Sequence, residues 1–259
     1  ESSFGTGLLI GFNNDSSLDE YRKFSLTPYY RRYFSNKYAR GFFVEGFGML
    51  HSYENNYYDY YYDINGYPHI SGAVNNLNSR GVVITSTSFS EGCNAGYTAT
   101  TRVVDQQTRQ NPALLHVFSA GNSASSTCGG NAYGAGTPWG TITGGRKQGK
   151  STIATGNLFY NSALTASSSR GPAADGRIKP DICANGSNQM STNANNTYQV
   201  GGGTSAAAPG IAGLAAQMYH GYRTLNAGAN PESGLIKSAM LNTARDLGNT
   251  GPDFFYGWG

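Results

Sequence analysis

Short apolar runs broken by glycine- and asparagine-rich stretches recur along this chain, and their alternation predicts strands and helices in turn. The first run, Gly7-Leu8-Leu9-Ile10-Gly11-Phe12, ends in Asn13-Asn14-Asp15-Ser16-Ser17, a strand running into a polar turn. Residues 20 to 66 are aromatic and polar without helical spacing, densest at Tyr57-Tyr58 and Tyr60-Tyr61-Tyr62. They read as strand and loop whose rings cover a half-exposed sheet, or else as a sticky cleft or partner surface. From residue 80 the pattern sharpens. Gly81 to Ser88 predicts a strand, and Ala99 to Gln110 a helix with Val103 and Val104 turned inward, closed by Asn111-Pro112. Leu114-Leu115-His116-Val117-Phe118 predicts a second strand that breaks at Ser119-Ala120-Gly121-Asn122, and Ser151 to Gly156 a third.

Two helices are predicted in the last third. Thr204 to Met218 follows Gly201-Gly202-Gly203 and is packed with small residues, so it is expected to lie deeply buried, with Pro209 kinking or restarting it. Pro231 to Leu241 opens on a proline and carries apolar residues at Leu235, Ile236, Ala239 and Met240. Strands alternating with helices imply crossover connections. The expected fold class is therefore α/β, a single three-layer doubly wound domain over residues 1 to 259 with a mainly parallel sheet. Its site belongs at the carboxyl ends of the strands.

Hydrophobic residues make up 38% of the chain and charged residues 13%, which excludes a highly charged disordered segment or a coiled coil. The 36 glycines and the tracts of Ser, Thr and Asn predict many loops over a rigid scaffold, as is common in secreted enzymes. The net charge of +3 is scattered, with Arg22-Lys23, Arg31-Arg32 and Arg146-Lys147 as isolated basic pairs, so no nucleic-acid footprint is expected. No window approaches the roughly 20 apolar residues of a membrane span. The chain starts at Glu1 without initiator Met or signal peptide and reads as a segment of a longer product. Its three cysteines show no Cys-x-x-Cys pairing, so no zinc site is expected. Cys93 and Cys128 lie in Gly/Asn/Ser-rich loops that suit a disulfide in an oxidising compartment, with reduced, inert thiols as the alternative. Cys183 reads as a buried free thiol.

Ser205 carries the strongest chemical signal. A serine that follows a glycine-rich turn and opens a helix has its hydroxyl at the positive end of the helix dipole, where an alkoxide-like charge is favoured. An ordinary helix cap accounts for such a serine equally well when it is taken alone. In context, Gly203-Thr204-Ser205-Ala206-Ala207-Ala208-Pro209 resembles Gly-Thr-Ser-x-Ala-x-Pro, the nucleophile motif of the subtilase family of serine peptidases. The resemblance puts the catalytic serine at Ser205. Leu115 to Asn122 is similar to the family's strand ending in Ala-Gly-Asn, which implies that the Asn122 side chain donates into an oxyanion hole together with the Ser205 backbone N–H. Loss of one such donor costs roughly 2.7 to 4 kcal/mol in a subtilisin. Ser88-Phe89-Ser90 aligns with the family's substrate-pairing edge strand, implying an extended peptide or protein substrate held by β-augmentation. Ser168 to Pro172 and Asp175 to Asp181 match a further stretch of the family, so the resemblance covers about residues 80 to 259 in order. It implies a secreted or cell-surface endopeptidase that forms an acyl-enzyme, requires no cofactor, and belongs to a larger extracellular chain or assembly. Structural calcium is common in the family, although no oxygen-ligand loop in the sequence identifies a site.

Subtilases carry their triad in the order Asp, His, Ser. Gly5 to Asp19 is similar to the family's first strand, which ends in Asp-[ST]-Gly. On that register Asp15 is the catalytic aspartate; shifted by one, the position falls on Asn14, which cannot stabilise an imidazolium as a carboxylate does. The His-Gly-x-His-Val-x-Gly segment has no counterpart. His51 lies in a stretch loosely similar to the sequence after the catalytic histidine, and His69 resembles the tail of the missing motif, with Gly66 where the base belongs. His116, inside a strand, and His220, after the nucleophile helix, read as structural. Two readings stay open. In one, the sequence before residue 80 is incomplete, and the stop at Gly257-Trp258-Gly259 likewise precedes an expected further helix. In the other, the chain is an inactive subtilase-fold pseudoprotease that binds peptides or serves as a structural subunit.

Overall fold

Antiparallel pairing governs the start of the chain, and a parallel sheet forms the centre of the rest. The structure, a computed structural model, describes the backbone of four N-terminal strands and, with side chains, residues 77, 81–89, 96–124, 126 and 140–259. Two compact units divide at residues 61 and 62. The first contains β1 (Ser2–Ile10), β2 (Glu20–Tyr33), β3 (Phe43–Phe47) and β4 (Leu50–Asn55), with β2 pairing antiparallel to each of the others. The strand leading towards Asp15 therefore lies in an antiparallel sheet and not in the parallel one. Asp15 itself falls outside the described residues, as do the Tyr57 to Tyr62 stretch, His69, Cys93 and Cys128.

The second unit is built on β5 (Ile84–Thr87), β6 (Leu115–Ser119), β7 (Ile153–Leu158) and β8 (Ile182–Asn185), which form a parallel sheet in that order. Every residue of β6 is buried, and the two-residue period of a strand sorts them onto opposite faces. Leu115 and Val117 join Val83, Ile153 and Ile182 against Ala208, Ile211, Ala215 and Tyr219 of α2 (Thr204–Leu225) and Ile236 and Met240 of α3 (Ser233–Thr243). Phe118 turns the other way and packs on Val104 of α1 (Ala99–Gln110). Helices on both faces make the three-layer α/β arrangement expected from the sequence. Each fully buried Val, Leu or Ile contributes about 1.5 to 3 kcal/mol relative to exposure.

α1 starts on a capping box, in which Thr98 and Thr101 exchange backbone and hydroxyl bonds, and it ends at Asn111 as expected. α2 departs from expectation in two ways. It runs 22 residues without interruption through Pro209. It is also buried along one stripe only, Thr204, Ala207, Ala208, Ile211, Ala215 and Tyr219, while Leu214 on the far side is 42% exposed. Small residues set how closely a helix approaches its sheet; they do not determine how many of its sides are covered. Between β8 and α2 stands a two-stranded antiparallel ribbon, β9 (Gln189–Asn193) and β10 (Thr197–Gly201), whose residues are all exposed.

A buried charge cluster ties the amino ends of β7 and β8 to α3. Asp181 accepts from the Lys179 ammonium, from Lys237 Nζ at 2.8 Å and from the Ala154 N–H at 2.7 Å. Burial on its own would raise the Asp181 pKa, but the two ammonium groups outweigh it and hold the carboxyl below its ordinary range. Cys183, next along β8, is a buried free thiol whose pKa burial pushes up, as expected of an inert cysteine.

Candidate active site

The first turn of α2 is clasped to the loop after β6. Gly203 is the residue before the helix, at a φ of +116°, a conformation that side chains rarely adopt. A Cβ there would come within 3.1 Å of Asn122 Nδ2. Next comes Thr204, fully buried, whose N–H donates to Asn122 Oδ1 at 3.0 Å and whose hydroxyl donates to the same oxygen at 3.1 Å. The Thr204 hydroxyl also accepts the Gly121 N–H at 3.1 Å. Gly121 takes a φ of +118°, and a Cβ there would collide with Thr143 and Ser169 Oγ. Because both Thr204 groups are donors, the Asn122 amide is oriented with its oxygen towards the helix and its Nδ2 free to face outward. Asn122 and Ser205 are both exposed.

Helix geometry explains the state of Ser205. The opening N–H groups of a helix lack intrahelical partners. Here Asn122 takes the Thr204 N–H, and the Ala206 and Ala207 N–H groups turn back to Gly203 O. Among the described residues no acceptor takes the Ser205 N–H. At the other end of the same residue, the Ser205 carbonyl would ordinarily receive the N–H four positions later, and that position is Pro209, which has none. Ser88 Oγ donates to it instead at 3.2 Å. On the opposite flank, the Gly203 N–H donates to Gly186 O at 3.0 Å. The turn that opens α2 thus sits between the carboxyl ends of β5 and β8, where a parallel sheet is expected to carry its site.

Ser88 and Phe89 follow the edge strand β5 and are exposed, while Ser90 lies outside the described residues. Beside them Thr87, Phe89, Phe118, Thr143, Arg146 and Lys147 line a small open-mouthed depression. Arg146 lies over the Phe89 ring at 5.7 Å, and buried Lys147 donates to Thr143 Oγ1 at 2.8 Å. Among the described residues no group of three or more His, Cys, Asp or Glu side chains is arranged to hold a metal ion, and no helix is long and apolar enough to cross a membrane.

The family model of the subtilases matches residues 48–259. The chain belongs to the subtilase family. C5a peptidase of Streptococcus pyogenes is 38% identical over 86 residues, a stretch that is 32% of this chain and 7% of the streptococcal protein. Among solved structures, the CspB protease of Clostridium perfringens superposes with a TM-score of 0.63 at 15% identity over 73% of this chain and 68% of that one. A lanthipeptide protease gives 0.55 at 18% identity over 73% and 61%. The maturation protease PagA gives 0.54 at 20% identity over 69% and 57%. At these identities the structural likeness concerns the fold, and the fold is that of subtilisin-like proteases.

In this subtilase domain the first turn of α2 brings Ser205 together with Ser88, and Thr204 together with Asn122. The positioning residues Thr204 and Gly186 carried no role in the sequence reading. For Thr204 the signal was present, since a threonine between a glycine turn and a helix is a natural clasp. For Gly186 there was none, because its bond partners, Gly203 and Leu158, are distant in sequence. Of the histidines, His116 is buried in β6 with Nδ1 at 2.7 Å from Thr85 Oγ1. Burial lowers its pKa to about 4, so it is neutral and structural as expected. His220 is exposed about four turns along α2 from Ser205, roughly 22 Å away along the axis. Neither reaches Ser205. The His51 side chain and the whole of His69 lie outside the described residues.

Proposed function

We propose that this subtilase is a secreted or cell-surface serine endopeptidase that cleaves peptide bonds through an acyl-enzyme at Ser205. The observation that carries the reading is the Thr204 clasp, which turns Asn122 Nδ2 outward beside an uncommitted Ser205 N–H. Two such donors fit a developing oxyanion, and their orientation precedes substrate binding, which is what makes such donors effective. The residues before the scissile bond pair with the chain at Ser88, Phe89 and Ser90. Ser205 Oγ attacks the carbonyl carbon and passes its proton to a histidine outside the described side chains. The same proton then goes to the leaving amine, and water releases the acyl group by the reverse sequence. The extracellular placement rests on the family and on the streptococcal relative, and the Cys93–Cys128 disulfide remains part of the same proposal. No cofactor enters any step, and a structural calcium ion would act only on stability.

A second reading, a peptide-binding pseudoprotease, is favoured by the placement of the described histidine side chains, His116 buried against Thr85 and His220 exposed about four turns along α2 from Ser205. Kinetics on a peptide substrate separate the two. Ser205→Ala is expected to remove about six orders of magnitude in turnover, the scale seen when a subtilisin loses its serine. Asn122→Ala is expected to lower kcat by about 10² to 10³ with little change in KM. Turnover that is unaffected by Asn122→Ala would sink the oxyanion assignment.

A further inference from the structure

Asn122 stands between two bonds to one distant residue. Ser169, fully buried, donates its N–H to the Gly121 carbonyl at 2.9 Å, and its Oγ accepts the Ser123 N–H at 3.0 Å. The loop has need of such partners. Gly121 takes a φ of +118°, and a residue without a Cβ does little to fix its own backbone. Its conformation is set from outside. The Thr204 hydroxyl takes the Gly121 N–H, Ser169 takes the Gly121 carbonyl, and one residue earlier the Thr143 N–H donates to the Ala120 carbonyl at 3.0 Å. A Cβ on Gly121 would come within 2.8 Å of Ser169 Oγ, so the two segments lie in direct contact.

The position of these bonds gives them a consequence for the side chain. The soft rotations at Asn122, φ and ψ, are those between the peptide unit that carries the Gly121 carbonyl and the unit that carries the Ser123 N–H. Ser169 is bonded to both units. It therefore restrains both rotations at once, and with them the direction in which the Asn122 Cβ leaves the chain. Thr204 holds the far end of the same side chain, at Oδ1. Root and end are thus held by different segments. An amide held only at its end is free to swing about the Thr204 bonds, which changes where Nδ2 points. The neighbouring Ser168 is equally buried but spends its Oγ on the Asn157 N–H at 3.0 Å, in β7.

We infer that Ser169 is a positioning residue for the proposed oxyanion donor: it fixes the root of the Asn122 side chain so that Nδ2 faces outward before a substrate arrives. Its consequence for catalysis rests on the oxyanion reading of Asn122, whereas its effect on the orientation of the amide needs no turnover.

The test uses the full chain and two measurements. In the first, Ser169→Ala is made alone and on the Asn122→Ala background, and peptide cleavage is followed. Alone it is expected to lower kcat about tenfold with KM within about twofold. On the Asn122→Ala background it is expected to change kcat by less than about twofold, while Tm falls equally on both backgrounds. A role confined to stability would lower Tm without that dependence on Asn122. Ser168→Ala, which removes a bond of the same kind, is expected to lower Tm and leave kcat unchanged. In the second measurement, asparagine is labelled with nitrogen-15 and the Asn122 Nδ2 resonance is identified by its loss in Asn122→Asp. Its order parameter is expected to fall below about 0.6 in Ser169→Ala and to stay at the unsubstituted value in Ser168→Ala. An equal fall in kcat on both backgrounds, or an Asn122 amide as ordered as before, would overturn the inference. If the unsubstituted chain cleaves no peptide, the peptidase reading falls, and the order parameter alone decides for or against the positioning role. Should Ser169→Ala fail to fold, Ser169→Cys takes its place, since a thiol fills the space but accepts weakly.

Discussion

Thr204 holds the site together through one hydroxyl. It accepts from Gly121 in a bond shielded from solvent and donates to Asn122 in a bond that is only partly buried, because Asn122 is itself exposed. Thr204→Val keeps the shape and removes both. Each lost bond is worth about 1 to 3 kcal/mol when a buried partner is left unpaired. If that cost falls on the orientation of Asn122, kcat is expected to drop roughly 10- to 100-fold with KM within threefold, while Thr204→Ser stays near the original rate. A purely structural role would instead lower Tm with kcat unchanged. His116 supports a second prediction at this scale. Its Nε2 is buried without a partner among the described residues, so an imidazolium there is costly. With the folded pKa near 4 and the unfolded one near 6.5, the unfolded chain binds more protons between those values. Stability therefore rises with pH across that window, by about 3 kcal/mol, and is fully present above about pH 6.5. His116→Asn is expected to flatten this rise in denaturant titrations between pH 4 and 6.5 while leaving fluorophosphonate labelling intact. Ser205 and Asn122 were legible because each sits in a contiguous motif. Thr204 was visible in the same motif but its two partners, 82 and 83 residues away, were not.

The elements were legible where local rules decide them and illegible where partners are distant. β6 and α1 follow from an apolar run and from a Thr-capped segment closed by Asn111. α2 was predicted as a helix, but that Ser88, 117 residues away, supplies the bond to the Ser205 carbonyl that Pro209 cannot was not visible in the sequence. β1 has the same local signature as a parallel strand, and only its pairing with β2 makes it antiparallel. The Asp181 cluster is an element-scale joint of the same non-local kind, tying β7, β8 and α3 through Lys179 and Lys237. Asp181→Asn leaves the buried Lys179 ammonium and the half-buried Lys237 ammonium facing a neutral amide and is expected to cost about 3 to 5 kcal/mol by chemical denaturation. A loss under 1 kcal/mol would show that the cluster is no joint. The carboxyl's pKa is lower folded than unfolded, so its stabilisation is present above the unfolded value near 4 and fades as pH falls through the folded value. The acid limb of unfolding should accordingly move upward in pH when Lys237 is replaced by Met.

Taken whole, residues 48–259 form the subtilase part of the chain, a wider span than the motifs from residue 80 onward had indicated. The extra reach lies in segments that match the family model without carrying a recognisable catalytic motif. In the proposed reading, a helix start after a glycine run, an oriented amide and the chain after β5 make the receiving half of a peptidase site, and turnover depends on a proton acceptor for Ser205. The most direct measurement is to treat the folded protein with a fluorophosphonate and map the adduct by peptide mass spectrometry. A single adduct on Ser205, absent after Ser205→Ala and after heat unfolding, is expected of an activated nucleophile. A folded protein that acquires no adduct, or acquires it on another serine, would contradict the assignment.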